Sequence, residues 1–327
     1  MRRNLTGALL LLLIGLTISS CTEIKRGEYA KGTAYVACDD GFKKILDEEI
    51  EVFEYQYPDA FILPAYMSET AAIDSLMAGK TQLAITTREL TPQEIKTIKN
   101  KQKRIVRQNC IAVDAVAIIV NKDNPVGLLS MSEIGDILQG KISKWSQLAV
   151  PDDSNIKIVF DNPGSSTVNY MREHFLPEGA KISDNPNAFA QKNNQQVFEA
   201  VKQDKQALGI ISVSWLGDNL QATKMPVGKR LESLKNTNDT IKTDFSEAVK
   251  VLKVRRNDEP EGYKPYQVYI NSGEYPLFRK VYLISTGSNS TVVHSFYTFV
   301  TGFVGQKIIS QTGIMPYHVN PRVVSLK

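Results

Sequence analysis

The chain has 327 residues, of which 42% are hydrophobic and 23% are charged, enough for two lobes that each bury a core of their own. The formal net charge is +4, and no arginine-rich or mixed aromatic and basic array accompanies it, so we expect no nucleic-acid partner. The three histidines are scattered, and no cysteine or histidine pair has the spacing of a zinc site. We therefore expect neither a metal centre nor a cofactor.

The N-terminus has the pattern of an export signal. Residues 1–20 combine Arg2 and Arg3 with a short apolar run and small residues before Cys21, and the run is shorter than the roughly 20 residues that cross a bilayer. The pattern resembles a bacterial lipoprotein signal, in which this cysteine is lipidated after cleavage; an ordinary secretory peptide cut nearby is the alternative. Cleavage lowers the net charge from +4 to +2, and residues 21–32 are predicted to form a polar tether.

Either signal places the mature protein in the cell envelope, on the periplasmic or extracellular face, with membrane contact through the N-terminal lipid only. Two further cysteines, Cys38 and Cys110, lie in or beside apolar strands. That compartment allows a disulfide, but two buried free thiols are the favoured interpretation.

The first third of the chain alternates predicted strands with predicted helices. The strands are expected at residues 33–38, 61–63 and 83–86. The helices follow Asp39-Asp40-Gly41, Ser68 and the capping box Thr91-Pro92-Gln93-Glu94. Such alternation implies a parallel sheet with crossover connections, in which ligands bind at the carboxyl ends of the strands.

The stretch Asp161–Thr167 has the pattern of an anion site. A β-branched run at residues 156–160 predicts a strand before it, and apolar residues at helical spacing follow it. The first amides of a helix have no internal hydrogen-bond partner, and the helix dipole favours negative charge there. Ser165, Ser166 and Thr167 add three hydroxyl donors. The alternative is that Ser165 or Ser166 merely caps the helix.

A long apolar run at residues 111–120 predicts a strand that leaves one lobe and enters another. Asp114 within this run is interpreted as a hydrogen-bonded structural residue of the hinge, in preference to a ligand contact. A capping box at Ser130, a helix at residues 195–201 and a strand at 207–213 continue the α/β pattern. Residues 217–262 show no sustained periodicity, and we expect exposed helix and loop there.

Five segments, in this order, resemble the substrate-binding proteins of phosphate ABC importers. They are residues 130–145, the loop Gly164-Ser165-Ser166-Thr167, the strand at 207–212, Tyr275-Pro276-Leu277-Phe278-Arg279, and Gly305-Gln306 with Gly313-Ile314-Met315-Pro316. The resemblance implies an α/β periplasmic-binding-protein type II fold: two lobes with parallel-core sheets, joined by two crossover strands, with the ligand in the cleft. It places lobe 1 at residues 33–114 plus 283–327 and lobe 2 at 115–282, and residues 280–285 form the returning strand.

The same resemblance implies which residues bind an oxyanion. They are Ser165, Ser166 and Thr167 from lobe 2, and Ser68, Thr86, Thr87 and the turn Asp40-Gly41-Phe42 from lobe 1.

Two positions depart from the family pattern, since Asp161 stands where the family has an arginine and Ser166 replaces the second glycine of the loop. Losing the arginine removes a charge-assisted hydrogen-bond donor, worth about 1.5–3 kcal/mol per bond. Arg88 would restore the charge from lobe 1, unless it is only a surface ion-pair partner.

We therefore expect an extracytoplasmic binding lipoprotein, not an enzyme. It would capture inorganic phosphate or a related tetrahedral oxyanion by lobe closure and deliver it, as a monomer, to an ABC-transporter permease. Asp39 or Asp40 would accept the proton that phosphate keeps near neutral pH and sulfate lacks, unless it only caps the next helix.

Two alternatives remain beside this function. One is a two-lobed sensing or scaffolding lipoprotein that binds another small anion or none. The other is a secreted serine hydrolase or phosphatase. The sequence argues against the hydrolase because it has no GxSxG elbow, and because His174 lies about two helical turns beyond Thr167.

Overall fold

Strands and helices alternate from the first described residues onward. The computed structural model describes residues 30–217, 225–236, 245–289 and 291–318. The predicted signal peptide, the lipidation site Cys21 and residues 22–29 of the tether lie outside the described residues. Within those ranges, no helix has the length and apolar character needed to cross a membrane.

Three parallel strands begin the first sheet: β1 (Gly32–Asp39) pairs on one side with β2 (Ala60–Met67) and on the other with β3 (Leu83–Thr86). The helices that follow these strands are α1 (Lys43–Gln56), α2 (Glu69–Met77) and α3 (Pro92–Gln102). Ser68 caps α2, and the Thr91 capping box begins α3, as predicted. The strand ends and helix starts therefore meet at one edge of the sheet, where a ligand site is expected.

Strand β4 (Arg107–Asn121) belongs to two sheets. Up to Ala115 it pairs antiparallel with β11 (Phe278–Ser285), which also pairs with β3. From Val116 onward it pairs antiparallel with β8 (Ala207–Ser212). The predicted crossing run is thus part of a longer strand, and its change of partner lies next to the lobe boundary predicted after residue 114.

The second sheet extends from β8 to β6 (Lys157–Phe160) and then to β7 (Ala188–Ala190), with both pairs parallel. Its helices are α4 (Met131–Leu138), α5 (Ser166–Phe175) and α6 (Asn194–Gln203). The Ser130 capping box begins α4, and α5 begins at Ser166, within the run of hydroxyl residues, both as predicted. The loop before α5 therefore lies at the carboxyl end of β6.

The expectation of exposed helix and loop across residues 217–262 is only partly confirmed by the residues described there. Besides α7 (Val227–Lys235), the stretch contains β9 (Val249–Val251), which pairs with β4, and β10 (Lys253–Arg255), which pairs with β5 (Leu128–Ser130). Val249, Val251 and Val254 are buried. Strands of three residues are too short to show a period among charged neighbours, so the pattern missed them.

The end of the chain returns to the first sheet. Helix α8 (Gln267–Asn271) precedes β11; α9 (Val292–Thr301), α10 (Phe303–Gln311) and β12 (Met315–Pro316) follow it. Phe53 of α1 packs on Phe296 and Phe299 of α9, with ring centroids 5.1 and 5.3 Å apart, and β12 pairs with β4. Residues from both ends of the described chain therefore build the first lobe.

Both described cysteines are free thiols, as the favoured interpretation predicted, but only one of them is buried as that interpretation also required. Cys38 is buried, whereas Cys110 is only half-buried.

Candidate functional site

The turn after β1 and the loop after β6 meet between the two sheets, and the carboxylate of Asp39 joins them. Its Oδ2 accepts the backbone N–H of Ser166 at 3.0 Å, and its Oδ1 accepts the Ser166 hydroxyl at 2.9 Å. Oδ1 also accepts the N–H of Gly41 at 3.0 Å. Asp39, Ser165 and Ser166 are fully buried. The first amide of α5 thus already holds a negatively charged group, as a helix N-terminus favours.

Asp161 faces the loop that begins α5. It accepts a hydrogen bond from the hydroxyl of Ser165, which caps α5 by accepting the N–H of Val168 at 3.2 Å. The side-chain amide of Asn194 donates to Asp161 at 3.0 Å, and the Asn194 backbone N–H donates to Asp40 at 3.0 Å. Ser165 therefore acts as the helix cap that the alternative interpretation described. Ser166 instead bonds Asp39, and Thr167 bonds Arg279.

Arg279 of β11 supplies the cation of the site. Its Nε and Nη2 donate to Asp114 at 3.0 and 2.9 Å, and its Nη2 also donates to the Thr167 hydroxyl at 3.2 Å. The guanidinium lies over the ring of Phe42, 5.5 Å from its centroid. Among the described residues, Nη1 of this buried arginine has no hydrogen-bond partner. Both N–H groups of Nη1 therefore remain available to a further acceptor.

Asp114 is the structural hinge residue that the sequence suggested. Besides Arg279, it accepts the hydroxyl of Ser212 at 2.9 Å, and it is fully buried. Ser214 and Trp215 then donate to the carbonyl oxygen of Gly41 at 2.8 and 3.0 Å. These bonds tie the β1 turn to the second sheet from its other side.

Burial makes the carboxyl groups of Asp39, Asp161 and Asp114 weaker acids than usual. It raises the pKa of Asp39 to about 6, although Arg279 and the bonds from Ser166 and Gly41 act in the opposite direction. It raises the pKa of Asp161 to about 7, with a further contribution from the charge of Asp39. The pKa of Asp114 is also raised by burial, in spite of its bonds to Arg279. The site is therefore rich in negative charge and able to hold protons near neutral pH.

A second group of first-lobe residues lines the same loop. Ser68 lies against Gly164, since a Cβ added to that glycine would come within 3.2 Å of the Ser68 hydroxyl. Buried Glu69 accepts the N–H and hydroxyl of Thr87 at 2.6 and 2.7 Å, and the Thr86 hydroxyl donates to the carbonyl of Arg88 at 2.8 Å. Both threonine hydroxyls are thus engaged within the first lobe.

Arg88 lies in a different environment from Arg279. Its Nη1 and Nη2 donate to the two carboxylate oxygens of Glu94, each at 2.9 Å, and Nη1 also donates to the carbonyl of Glu89. The Arg88 side chain is 45% exposed. In this conformation its guanidinium serves as the surface ion-pair partner that the alternative interpretation described.

The fold that carries this site matches a known architecture. A family model described as a PBP superfamily domain matches residues 27–303. The chain belongs to the PBP superfamily.

Among its relatives, the phosphate-binding protein PstS of Pseudomonas aeruginosa is 21% identical over 89% of this chain and 90% of that protein. Phosphate-binding protein PstS 2 of Streptococcus pneumoniae is 24% identical over 37% of this chain, and the chain spans only 39% of that relative's length. A solved structure similar to this one is a putative phosphate ABC transporter substrate-binding protein with bound phosphate from Clostridium perfringens. It is 20% identical, covers 88% of this chain and 100% of its own, and has a TM-score of 0.68.

An ABC-type phosphate transport receptor from Vibrio cholerae is also similar, with 21% identity, coverage of 86% of this chain and 99% of its own, and a TM-score of 0.60. The expected two-lobed α/β fold is therefore confirmed for this PBP-superfamily protein. Strand β4 pairs in both sheets, whereas β11 pairs with β3 and β4 in the first sheet.

Sequence reasoning missed three members of the site in this PBP-superfamily chain: Asp114 as the partner of Arg279, Arg279 as the buried cation, and Asn194 as the amide between two aspartates. The available signals were a polar residue within an apolar strand, for Asp114 and Arg279, and a polar residue at a helix start, for Asn194. Within the described ranges, His, Cys, Asp and Glu side chains form no group of three or more that could hold a metal ion.

Proposed function

We propose that this protein captures inorganic phosphate, or a related tetrahedral oxyanion, in the cleft between its lobes. The observation that carries the proposal is the set of donors around the Asp39 carboxylate. The Ser166 N–H, the Ser166 hydroxyl and the Gly41 N–H all point at one pair of anionic oxygens. A carboxylate presents the same kind of charged oxygen as phosphate, so these donors suit an oxyanion.

The donors nearest this position are Gly41, Ser166, Thr167 and Arg279, and we propose them as the core of the site. Micromolar affinity needs about −8 kcal/mol, and charge-assisted hydrogen bonds contribute about 1.5–3 kcal/mol each. A few such bonds supply this free energy after the ordering cost is subtracted. Asp40, Phe42, Ser68, Thr86, Thr87 and Ser165 then support the same turns, and Arg88 reaches the anion only by releasing Glu94.

We further propose that the lobes move about β4 and β11, with lobe 1 at residues 33–114 plus 283–327 and lobe 2 at 115–282. Cys21 carries the lipid, the protein works as a monomer in the cell envelope, and an ABC-transporter permease receives the anion. The relatives named above as phosphate-binding proteins and as an ABC-type phosphate transport receptor support delivery of the anion to a transporter. The lipoprotein-like pattern before Cys21 supports the lipid.

Isothermal titration calorimetry of the purified protein with phosphate tests the proposal, with sulfate as the comparison anion. We expect heat of binding and a micromolar dissociation constant for phosphate. If phosphate gives no heat while another ligand binds clearly, the assignment is discarded.

The carboxylates favour a second candidate, a two-lobed sensor or scaffold that binds another small anion or none. Asp39, Asp40, Asp114 and Asp161 are buried, and Arg279 bonds Asp114 and acts on Asp39, so a dianion meets like charge on several sides. This candidate predicts no oxyanion binding at any pH between about 5 and 8.

We infer no hydrolase activity, because the serine hydroxyls are directed at carboxylates rather than at a histidine. Ser165 donates to Asp161 and Ser166 to Asp39, whereas Nδ1 of His174 contacts the carbonyl of Tyr170 at 2.8 Å. Turnover of a chromogenic phosphate ester that is lost in Ser165→Ala would contradict this inference.

A further inference from the structure

The Asp39 carboxylate occupies donors that the proposed oxyanion needs. Resting on the proposed function, we propose that Asp39 is an internal ligand of the Ser166 loop that an incoming oxyanion must displace. Asp39 is then the residue that sets the affinity of the site, because the anion binds only as strongly as it outcompetes this carboxylate.

The geometry is that of a bound anion rather than of an incidental contact. Each carboxylate oxygen has its own donor on Ser166, the N–H at 3.0 Å to Oδ2 and the hydroxyl at 2.9 Å to Oδ1. The residues are 127 positions apart in the chain and both are fully buried. Water therefore does not share these donors, and the bonds join the two lobes directly.

Competition follows from the number of protons on the donors. The Ser166 N–H and hydroxyl each carry one hydrogen, and both are committed to Asp39. An oxyanion that uses them leaves Asp39 without these bonds. Since a buried charge without partners is costly, Asp39 must turn away or take up a proton when the anion binds.

The charges around Asp39 oppose the presence of both anions together. The positive charge of Arg279 lowers the pKa of the Asp39 carboxyl, whereas the negative charge of Glu69 raises it. The charge of Asp39 in turn raises the pKa of Asp161 and of the Cys38 thiol. The charge of Asp40 also raises the pKa of Cys38. One guanidinium cannot compensate this many carboxylates, so adding a dianion favours removal of the Asp39 charge.

Arg279 gives the incoming anion a first contact. Its Nη1 has no partner among the described residues, and its Nη2 already bonds the hydroxyl of Thr167. An oxyanion at this nitrogen lies beside the loop that holds Asp39. Displacement can then proceed one donor at a time, without exposing the whole site.

Calorimetry with inorganic phosphate on the full chain and on Asp39→Ala tests the inference. We expect Asp39→Ala to bind phosphate at least about tenfold more tightly than the unmodified protein, because charge-assisted donors are released and a like charge is removed. Asp39→Asn should show a smaller gain, about threefold, since its amide oxygen still accepts from Ser166. It also serves as the readable variant if Asp39→Ala fails to fold.

Asp40→Asn is the matched control, because it removes one negative charge from the same turn while the Ser166 donors stay occupied. Its gain should be clearly smaller than that of Asp39→Ala. Small-angle scattering provides the second readout: without phosphate, the Asp39→Ala protein should be more extended than the unmodified protein and should become compact when phosphate is added.

The outcomes separate this inference from the proposed function. If the unmodified protein binds phosphate and the Asp39 variants bind it equally or more weakly, Asp39 is no competitor and the proposed function stands. If Asp40→Asn gains as much as Asp39→Ala, the effect is long-range charge and the inference is overturned. If no protein in the series binds phosphate, the proposed function fails and the inference fails with it.

Discussion

At the scale of single residues, the buried cation of the site is the feature that matters most. Arg279 donates two hydrogen bonds to Asp114, from Nε and Nη2, and its Nη2 also donates to Thr167. Arg88 is held by Glu94 at the surface. Burial makes the Arg279 charge far more effective than an exposed one, because the protein interior screens charge less than water does.

We therefore expect Arg279→Lys to lower phosphate affinity by about tenfold or more, because lysine keeps the charge opposite Asp114 but loses the planar fork of donors. Titration calorimetry measures this change. Arg88→Ala is the comparison and should lower the affinity less, since exposed ion pairs contribute only about 0–1 kcal/mol. A larger loss of affinity in Arg88→Ala than in Arg279→Lys would show that Arg88, and not Arg279, is the main cation of the site.

The raised pKa values of Asp39 and Asp161 predict how stability depends on pH. A carboxyl whose pKa is raised on folding, here from 3.8 to about 6 and about 7, binds its proton more tightly in the folded chain. Its contribution to the free energy of unfolding is therefore complete below its unfolded pKa and is lost as pH rises through its folded pKa.

Urea unfolding should accordingly give a free energy of unfolding about 2–4 kcal/mol lower at about pH 8 than at about pH 5. Glu94, whose pKa is lowered to about 2, acts in the opposite direction, but only below its unfolded pKa and hence outside this range. Asp161→Asn should flatten the dependence, and an unchanged slope in that variant would contradict the account.

At the scale of elements, local sequence signals determine where helices begin, whereas long-range pairing determines the short strands. The capping boxes at Thr91 and Ser130 fixed two helices from four residues each, because the bonds they make are local. Strands β9 and β10 gained their definition from β4 and β5, partners more than a hundred residues away. No local pattern contains that information.

Thr91→Ala tests the weight of one such local signal. The Thr91 hydroxyl accepts the N–H of Glu94 at 3.3 Å, and we expect its removal to lower the free energy of unfolding by about 1 kcal/mol. Thr97→Ala is the control: it lies within the same helix, where its hydroxyl only bonds the carbonyl of Gln93, and alanine is the better helix former there. Equal destabilisation of both variants would contradict a capping effect.

The candidate site divides in the same way. The turn at Gly41 and the loop at Ser166 were predictable, since each follows a strand and begins a helix. The contacts that join them were not, because Asp39 and Ser166 are 127 positions apart and Asp114 and Arg279 are 165 apart. Only the shared strand β4 and its partners bring these side chains to one place.

At the scale of the whole molecule, we expect the proposed closure of the lobes to need a close approach at Gly164. A side chain there would meet Ser68 of the first lobe at 3.2–3.3 Å. Gly164→Val should therefore hold the lobes apart and weaken phosphate binding by about tenfold or more, because the donors no longer converge. Small-angle scattering should show a more extended protein.

Gly127→Val is the matched control, because a Cβ at that position meets nothing within 4 Å. Its dimensions and affinity should equal those of the unmodified protein. A compact Gly164→Val protein with full affinity would show that the two lobes do not need this contact.

The order of strands in the first sheet has a consequence for biosynthesis. Strands β1 and β3 leave the ribosome early, but β3 gains its second neighbour only when β11, residues 278–285, has been made. Synthesis at about 5–20 residues per second leaves β3 with one free edge for roughly ten seconds or more. The half of the molecule that is translated first is thus completed last, and during that interval the nascent chain offers an open strand edge to chaperones.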